Sequence, residues 1–157
     1  MGENEVNRAL NNEPFLLYDI SLPGINKTQI DHILINRKGI IVIETKNYSG
    51  VIRGDSQKTV WTQYIANKRI NFLSPIQQNE YHIRQLKSYL KMEHITLYNV
   101  VCFSEKAVLN IKSSNFVIHI DDLKTYIDKL PNSNVDEQTI QHIFMSLKPF
   151  SKNRTIQ

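Results

Sequence analysis

The sequence predicts a mixed α/β fold, a mixed β-sheet flanked by helices, and three observations carry that expectation. The stretch "GIIVIETKNYSG" (39–50) opens with four consecutive branched aliphatics, Ile40 to Ile43, the mark of a strand buried on both faces. The run "YNVVCFS" (98–104) reads as a second buried strand. Between them, from Pro75, the apolar period changes from that of a strand to that of a helix.

Each element follows in order. "ENEVNRALNN" puts Val6 and Leu10 four apart, a helix of two to three turns. "FLLYDISLPG" is a strand stopped by Pro-Gly. Residues 29–35 and 40–47 form two strands joined by "NRKG", whose Asn36 and Gly39 tolerate positive φ, so the pair is an antiparallel hairpin. "GVIRGD" and "KTVWTQYIANKRINF" give further short strands turning at "ANK". Ile76, Ile83, Leu86 and Leu90 then fit a helix over 75–92 with proline at its start. "AVLNIKS" and "NFVIHID" read as strands after the second buried run. "DDLKTYIDKL" begins with Asp caps and stops at Pro131, and "DEQTIQHIFMSLK" is a last amphipathic helix.

At 157 residues the chain is expected to form one domain over 1–150, followed by a frayed polar tail at 151–157. A composition of 41% hydrophobic and 22% charged residues is that of a globular protein and sets aside disordered and fibrous classes. The one cysteine, Cys102, rules out an intramolecular disulfide and a cysteine-based zinc cluster, and reads as a small buried thiol. A cytoplasmic protein is expected. No apolar run approaches the ~20 residues of a membrane span and no signal peptide heads the chain, so no membrane contact is expected from this segment. The chain starts directly in a helical pattern, which leaves room for an upstream segment in a longer protein.

Charge is uneven. Residues 1–36 carry a net −3, residues 37–69 a net +5 and the remaining 88 a net +2. A basic middle beside an acidic start suits a polyanion lying near a cation site, although solvated hairpin charges explain the same pattern.

The chemistry concentrates on the hairpin. Glu44 and Lys46 stand two apart, hence on one face, at the end of an apolar strand where charge is costly unless paired or used. With the turn at 36–39, residues whose numbers sum to about 75 face one another, which sets Asp31 opposite Glu44. Two carboxylates in a partly dry site force one pKa upward, and a divalent cation removes that penalty. With no thiolate nearby, the donor set is carboxylate oxygen, backbone carbonyl and water, which suits Mg²⁺ or Mn²⁺. Lys46, on the same face, is placed to orient an attacking water or to neutralise charge building at phosphorus. Asp31, Glu44 and Lys46 thus form a coherent metal-dependent phosphodiesterase site. The competing explanation is a Glu44–Lys46 ion pair at a strand end.

On these residues the chain resembles the nuclease-related domain (NERD) family, a branch of the PD-(D/E)xK restriction-endonuclease-like superfamily. The stretches that carry the likeness are "GENEVNRAL", "LPGINKTQIDHILINRKGIIVIETKNYSG" and "PIQQNEYHIRQL". The resemblance implies a restriction-endonuclease-like core, Asp31 and Glu44 as metal ligands and Lys46 as the catalytic lysine. It adds Glu3, from Gly2-Glu3 of the first helix, as a further acid of the site. It also matches Pro75, Gln78 and His82 to a Pro-x-x-Gln-x-x-x-His element. The chain departs from the family pattern at Ser74, where asparagine is frequent, and at Ile30, where the superfamily signature has proline. Neither change removes a ligand.

On the helix, Gln78, His82 and Leu86 recur every four residues and share a stripe; Gln78 could hold a water or a phosphate oxygen. Gln77 and Tyr81 form an adjacent pair with the Gln-x-x-x-Tyr spacing reminiscent of RecB-like nucleases, and which glutamine points inward stays open. His82 and His32 read first as structural histidines. Gly50 serves a plain turn or a close approach to phosphate. Arg53, Lys68, Arg69 and Trp61 are candidates for nucleic-acid contact. Trp61 and Tyr64 are read either as packing residues or as stacking partners for bases. The function expected is a metal-dependent nuclease acting on nucleic acid, with DNA as the foremost substrate. The alternative is a catalytically weak or inactive binding module of the same fold within a larger DNA-processing protein.

Overall fold

Why a run such as Ile40–Ile43 is tolerated becomes clear from its position at the centre of a sheet covered on both faces. The structure is a computed structural model that describes residues 2–24 and 27–153, with side chains from Asn4 onward. Its elements are α1 (Gly2–Ala9), β1 (Leu16–Leu22), β2 (Thr28–Asn36), β3 (Gly39–Lys46), β4 (Gly50–Asp55), β5 (Val60–Ile65), β6 (Lys68–Leu73), α2 (Pro75–Leu90), β7 (Leu97–Phe103), β8 (Ala107–Lys112), β9 (Val117–His119), α3 (Leu123–Asp128) and α4 (Glu137–Leu147). A five-stranded mixed sheet has the order β1-β2-β3-β7-β9, and a four-stranded mixed sheet the order β6-β5-β4-β8. The expected mixed sheet is thus two sheets, because β4–β6 pair with β8 rather than extend the first.

β3 lies between antiparallel β2 and parallel β7. Ile40 and Val42 enter the core under α2 and α4, while Ile41 and Ile43 enter the opposite core under α1 and α3. Burying each such side chain stabilises by about 1.5–3 kcal/mol. The hairpin register is as the sequence implies, from Asn36↔Gly39 to His32↔Ile43. The turn differs in detail: Gly39 adopts φ +129°, whereas Asn36 keeps negative φ and accepts a hydrogen bond from the Lys38 N–H at 2.9 Å.

α2 starts as expected. Ser74 is its N-cap, accepting from the Gln77 N–H, and Pro75 sits in the first turn. α4 is capped by Asp136, which accepts from the Thr139 N–H at 2.7 Å. α3 lacks the expected side-chain cap, since residues 120–122 form a 3-10 turn that leads into it. The tail also corrects the expectation of fraying as far as it is described: Asn153 donates to Leu16 O at 2.9 Å and Lys152 N–H donates to Tyr18 O at 3.0 Å, docking the segment on β1.

In the second sheet, Ile52, Trp61 and Phe72 face inward onto Ile76, Val101 and Phe103. Trp61 is only 1% exposed and its indole N–H donates to Asp55 O at 3.1 Å. Gly50 has φ +80°, and a Cβ there would meet Tyr64 O at 2.2 Å, so its role is the turn into β4. Among the described residues, no helix is long and apolar enough to cross a membrane. Replacing Ile41 with alanine should cost about 2–5 kcal/mol, read as an earlier midpoint in urea with the slope unchanged.

Candidate active site

The ladder between β2 and β3 ends at His32↔Ile43. One step on, the Thr45 N–H donates to Oδ2 of Asp31 at 2.9 Å, so a carboxylate replaces the next backbone rung. β3 meanwhile continues beside β7 as far as Lys46↔Phe103. Strand parity puts Glu44 and Lys46 on the α2 side, following Ile40 and Val42. The hairpin therefore brings Asp31 against Glu44, as its register requires.

Glu44 is 4% exposed and shares a hydrogen bond with the Asp31 carboxyl. Burial, then that hydrogen bond and the Asp31 charge, push its pKa up to about 9; Lys46 and a backbone hydrogen bond from Thr45 oppose the shift. At neutral pH, Glu44 is therefore held protonated. Its Oε2 has no hydrogen-bond partner among the described residues. His82 Nδ1 stands 3.6 Å from that oxygen. Burial, reinforced by Lys46 and opposed by Asp31, lowers the His82 pKa, so the contact joins two neutral groups and is no ion pair.

Lys46 is half-buried and does not form the strand-end ion pair weighed against the metal site: its Nζ lies 5.9 Å from the centre of the Tyr48 ring, facing a cavity of about 510 Å³. Gln77 and Gln78 both line that cavity. Gln78 is exposed at its rim, and the buried stripe of α2 runs instead through Ile76, Asn79, His82 and Leu86. A fourfold spacing drifts around a helix of 3.6 residues per turn, which is why Gln78 leaves the stripe that His82 and Leu86 occupy.

Asn79 was not singled out in the sequence, yet it is fully buried and anchors the site. Its Nδ2 donates to Val42 O and to Asn99 Oδ1, both at 2.8 Å, and its Oδ1 lies 3.3 Å from His82 Nδ1. It ties α2 to β3 and β7. The legible signal was the i, i+3, i+7 spacing of Asn79, His82 and Leu86.

Arg53 and Arg69 flank the Tyr64 ring on the outer face of the second sheet, at 5.4 and 5.9 Å. Lys68 is exposed at the far end of that hairpin. Trp61 corrects the base-stacking expectation: it packs on the inner face, opposite to Tyr64 by strand parity, and has no exposed ring to offer. Glu3 belongs to α1, and its side chain lies outside the described residues.

The donor set fits a hard divalent cation. The Asp31 and Glu44 carboxyls meet, the Glu44 Oε2 has no hydrogen-bond partner among the described residues, and the Cys102 thiol is buried in the core on the other face of the sheet. Among the described residues no three His, Cys, Asp or Glu side chains form a metal cluster by themselves, so backbone carbonyl and water would complete the shell.

A mixed α/β domain with this hairpin defines a restriction-endonuclease-like protein. The family model of the nuclease-related domain matches residues 1–104, well over half the sequence, and the chain belongs to that family within the PD-(D/E)xK-like nuclease superfamily. It is 33% identical over 124 residues to a Bacillus anthracis protein described as uncharacterized, covering 76% of this chain and 58% of that relative's length. The chain thus spans little more than half of the relative. No solved structure matches it.

Two outcomes follow from the geometry. In the unfolded chain Glu44 ionises at its ordinary 4.5, whereas in the fold it stays protonated to about 9. Between those values the folded state binds the extra proton, so metal-free stability falls as pH rises through that window. Glu44→Gln should remove this slope and raise the melting temperature at pH 7 by roughly 2–6 °C, checked by thermal melts with chelator across the window. Asn79→Ala should cost about 1–3 kcal/mol in urea unfolding, since it leaves Val42 O and Asn99 without their partner.

Proposed function

We propose that this chain is a nuclease that hydrolyses phosphodiester bonds of nucleic acid, with DNA as the substrate and Mg²⁺ or Mn²⁺ as cofactor. One observation carries the proposal: the buried Glu44 carboxyl held against half-buried Asp31, with one Glu44 oxygen orphaned among the described residues, beside a lysine that opens onto a cavity. Membership of a nuclease-related family supports it.

Asp31 and Glu44 would hold the cation through ionised oxygens, with Glu44 giving up its proton to solvent on binding. When bound, the cation polarises a phosphate oxygen and makes water a better nucleophile. Lys46 orients that water for in-line attack and offsets charge gathering at phosphorus. Asn79 and His82 hold the α2 side of the pocket behind Glu44. Glu3 is assigned as a further acid of the site, and Gln78 binds water or phosphate at the rim. Arg53, Lys68 and Arg69 supply the cationic surface that a phosphate backbone requires. We place the protein in the cytoplasm, where its single buried thiol needs no oxidising partner.

A second assignment, a binding module without catalysis inside a larger DNA-processing protein, is favoured by two facts. The two carboxyls already hydrogen-bond one another without a cation, and the chain spans only 58% of its relative. Titration calorimetry with Mn²⁺ separates the two: binding that disappears in Glu44→Ala supports the enzyme, and no binding at millimolar metal supports the module. Plasmid and linear single-stranded DNA incubated with Mg²⁺ or Mn²⁺ should be cut by the native chain. Lys46→Ala and Asp31→Ala should be slower by about 100-fold or more. Retained cleavage in Asp31→Ala together with a lowered melting temperature would refute the assignment.

A further inference from the structure

The cavity beside Lys46 has a composition that the hydrolytic corner does not require. Its walls are the rings of Tyr48, Phe72 and Tyr81, and the amides of Gln77 and Gln78 stand among its lining. At about 510 Å³ it lies within the range of small-molecule sites. Tyr48 is fixed from two sides, edge-to-face with Phe72 at 5.0 Å and with Phe103 at 6.1 Å. The recess is open to solvent: Leu73, part of its lining, is 69% exposed.

We infer that this recess receives one unstacked nucleobase next to the scissile phosphate, so that the preferred substrate is single-stranded. The inference rests on the nuclease proposal for the position of that phosphate. Aromatic walls offer a face to any base, because every base has a π surface. Primary amides carry both donors and acceptors, and so meet a base edge without choosing among bases. Lys46 borders both the recess and the carboxyl pair, which links a phosphate on one side to its base on the other.

The surroundings favour one strand over two. Leu73 pairs across the second sheet with Val60, itself 52% exposed. Val60 in turn lines the next hollow with Arg53, Lys58 and Lys112, where Asp55 is the acidic member. The path away from Lys46 therefore runs from rings, over an exposed apolar pair, to a cationic hollow. That alternation matches a strand whose bases turn toward the protein while its phosphates reach the cations. A base inside a duplex is stacked on both faces and paired at its edge, so entering the recess costs it a few kcal/mol of unstacking and unpairing.

The test is fluorescence anisotropy with Ca²⁺ in place of Mg²⁺, using a labelled oligo-dT, an abasic oligonucleotide of equal length and a blunt duplex. The native chain should bind oligo-dT about 10-fold tighter than either of the others. Tyr81→Leu should lose about that factor for oligo-dT and leave the abasic strand unchanged, with circular dichroism confirming the fold. Should Tyr81→Leu not fold, 2-aminopurine within a strand bound to the native chain provides the second measurement, and its fluorescence should be quenched. Equal affinity for strand and duplex, a Tyr81→Leu variant that binds oligo-dT as the native chain does, or unquenched 2-aminopurine each overturn the inference. Cleavage that persists alongside any of these spares the nuclease and removes the recess. Base-dependent binding without cleavage under Mg²⁺ or Mn²⁺ supports the recess and refutes the nuclease.

Discussion

Two carboxyl groups held against each other at the end of a buried strand set the terms for the rest of this molecule. Asp31 and Glu44 meet because a tight turn at residues 37 and 38 aligns β2 with β3, and because β3 is buried on both sides up to the point where Glu44 appears. A low-dielectric position makes ionising the second acid costly, which is why Glu44 keeps its proton to about 9. Asp31 is anchored by the Thr45 N–H, which holds its carboxylate against Glu44. The arrangement weakens the metal-free fold at neutral pH, and the aliphatic core on both faces of β3 offsets that weakness. A polar cluster that weakens the fold around it is where perturbed pKa values concentrate.

The second sheet gives the site its surroundings. Its inner face, with Ile52, Trp61 and Phe72, docks on the start of α2 and the end of β7. That docking closes one wall of the cavity next to Lys46 and turns Arg53, Tyr64 and Arg69 to the outer face. Had Trp61 been on the outer face, the sheet would have lost its anchor and the cavity its shape.

The region matched by the family model ends at residue 104, just past β7, and contains the hairpin, the second sheet up to β6, and α2. What lies beyond closes the fold around it. Ile140, Ile143, Phe144 and Leu147 of α4 complete one core, and Leu123 and Ile127 of α3 complete the other. β8 supplies the parallel edge on which β4 pairs. Residues after 104 thus hold the strands that carry the site, even though none of them belongs to the carboxyl pair.

The sequence by itself determined whatever depends on neighbours along the chain. The register that opposes Asp31 to Glu44 follows from the turn and from strand parity. The start of α2 follows from Ser74 and Pro75, and the burial of Ile40–Ile43 from their unbroken apolar run. Tertiary structure decided which side of an element is covered. Asn79 rather than Gln78 points inward because the cover over α2 is β3 and β7, a fact no local spacing contains. Trp61 is a core residue and Tyr64 a surface one because a separate sheet packs by one face only. The approach of His82 to Glu44 and the docking of Asn153 on β1 join residues far apart in sequence. Such contacts are governed by long-range packing, whose geometry is absent from any single stretch of residues.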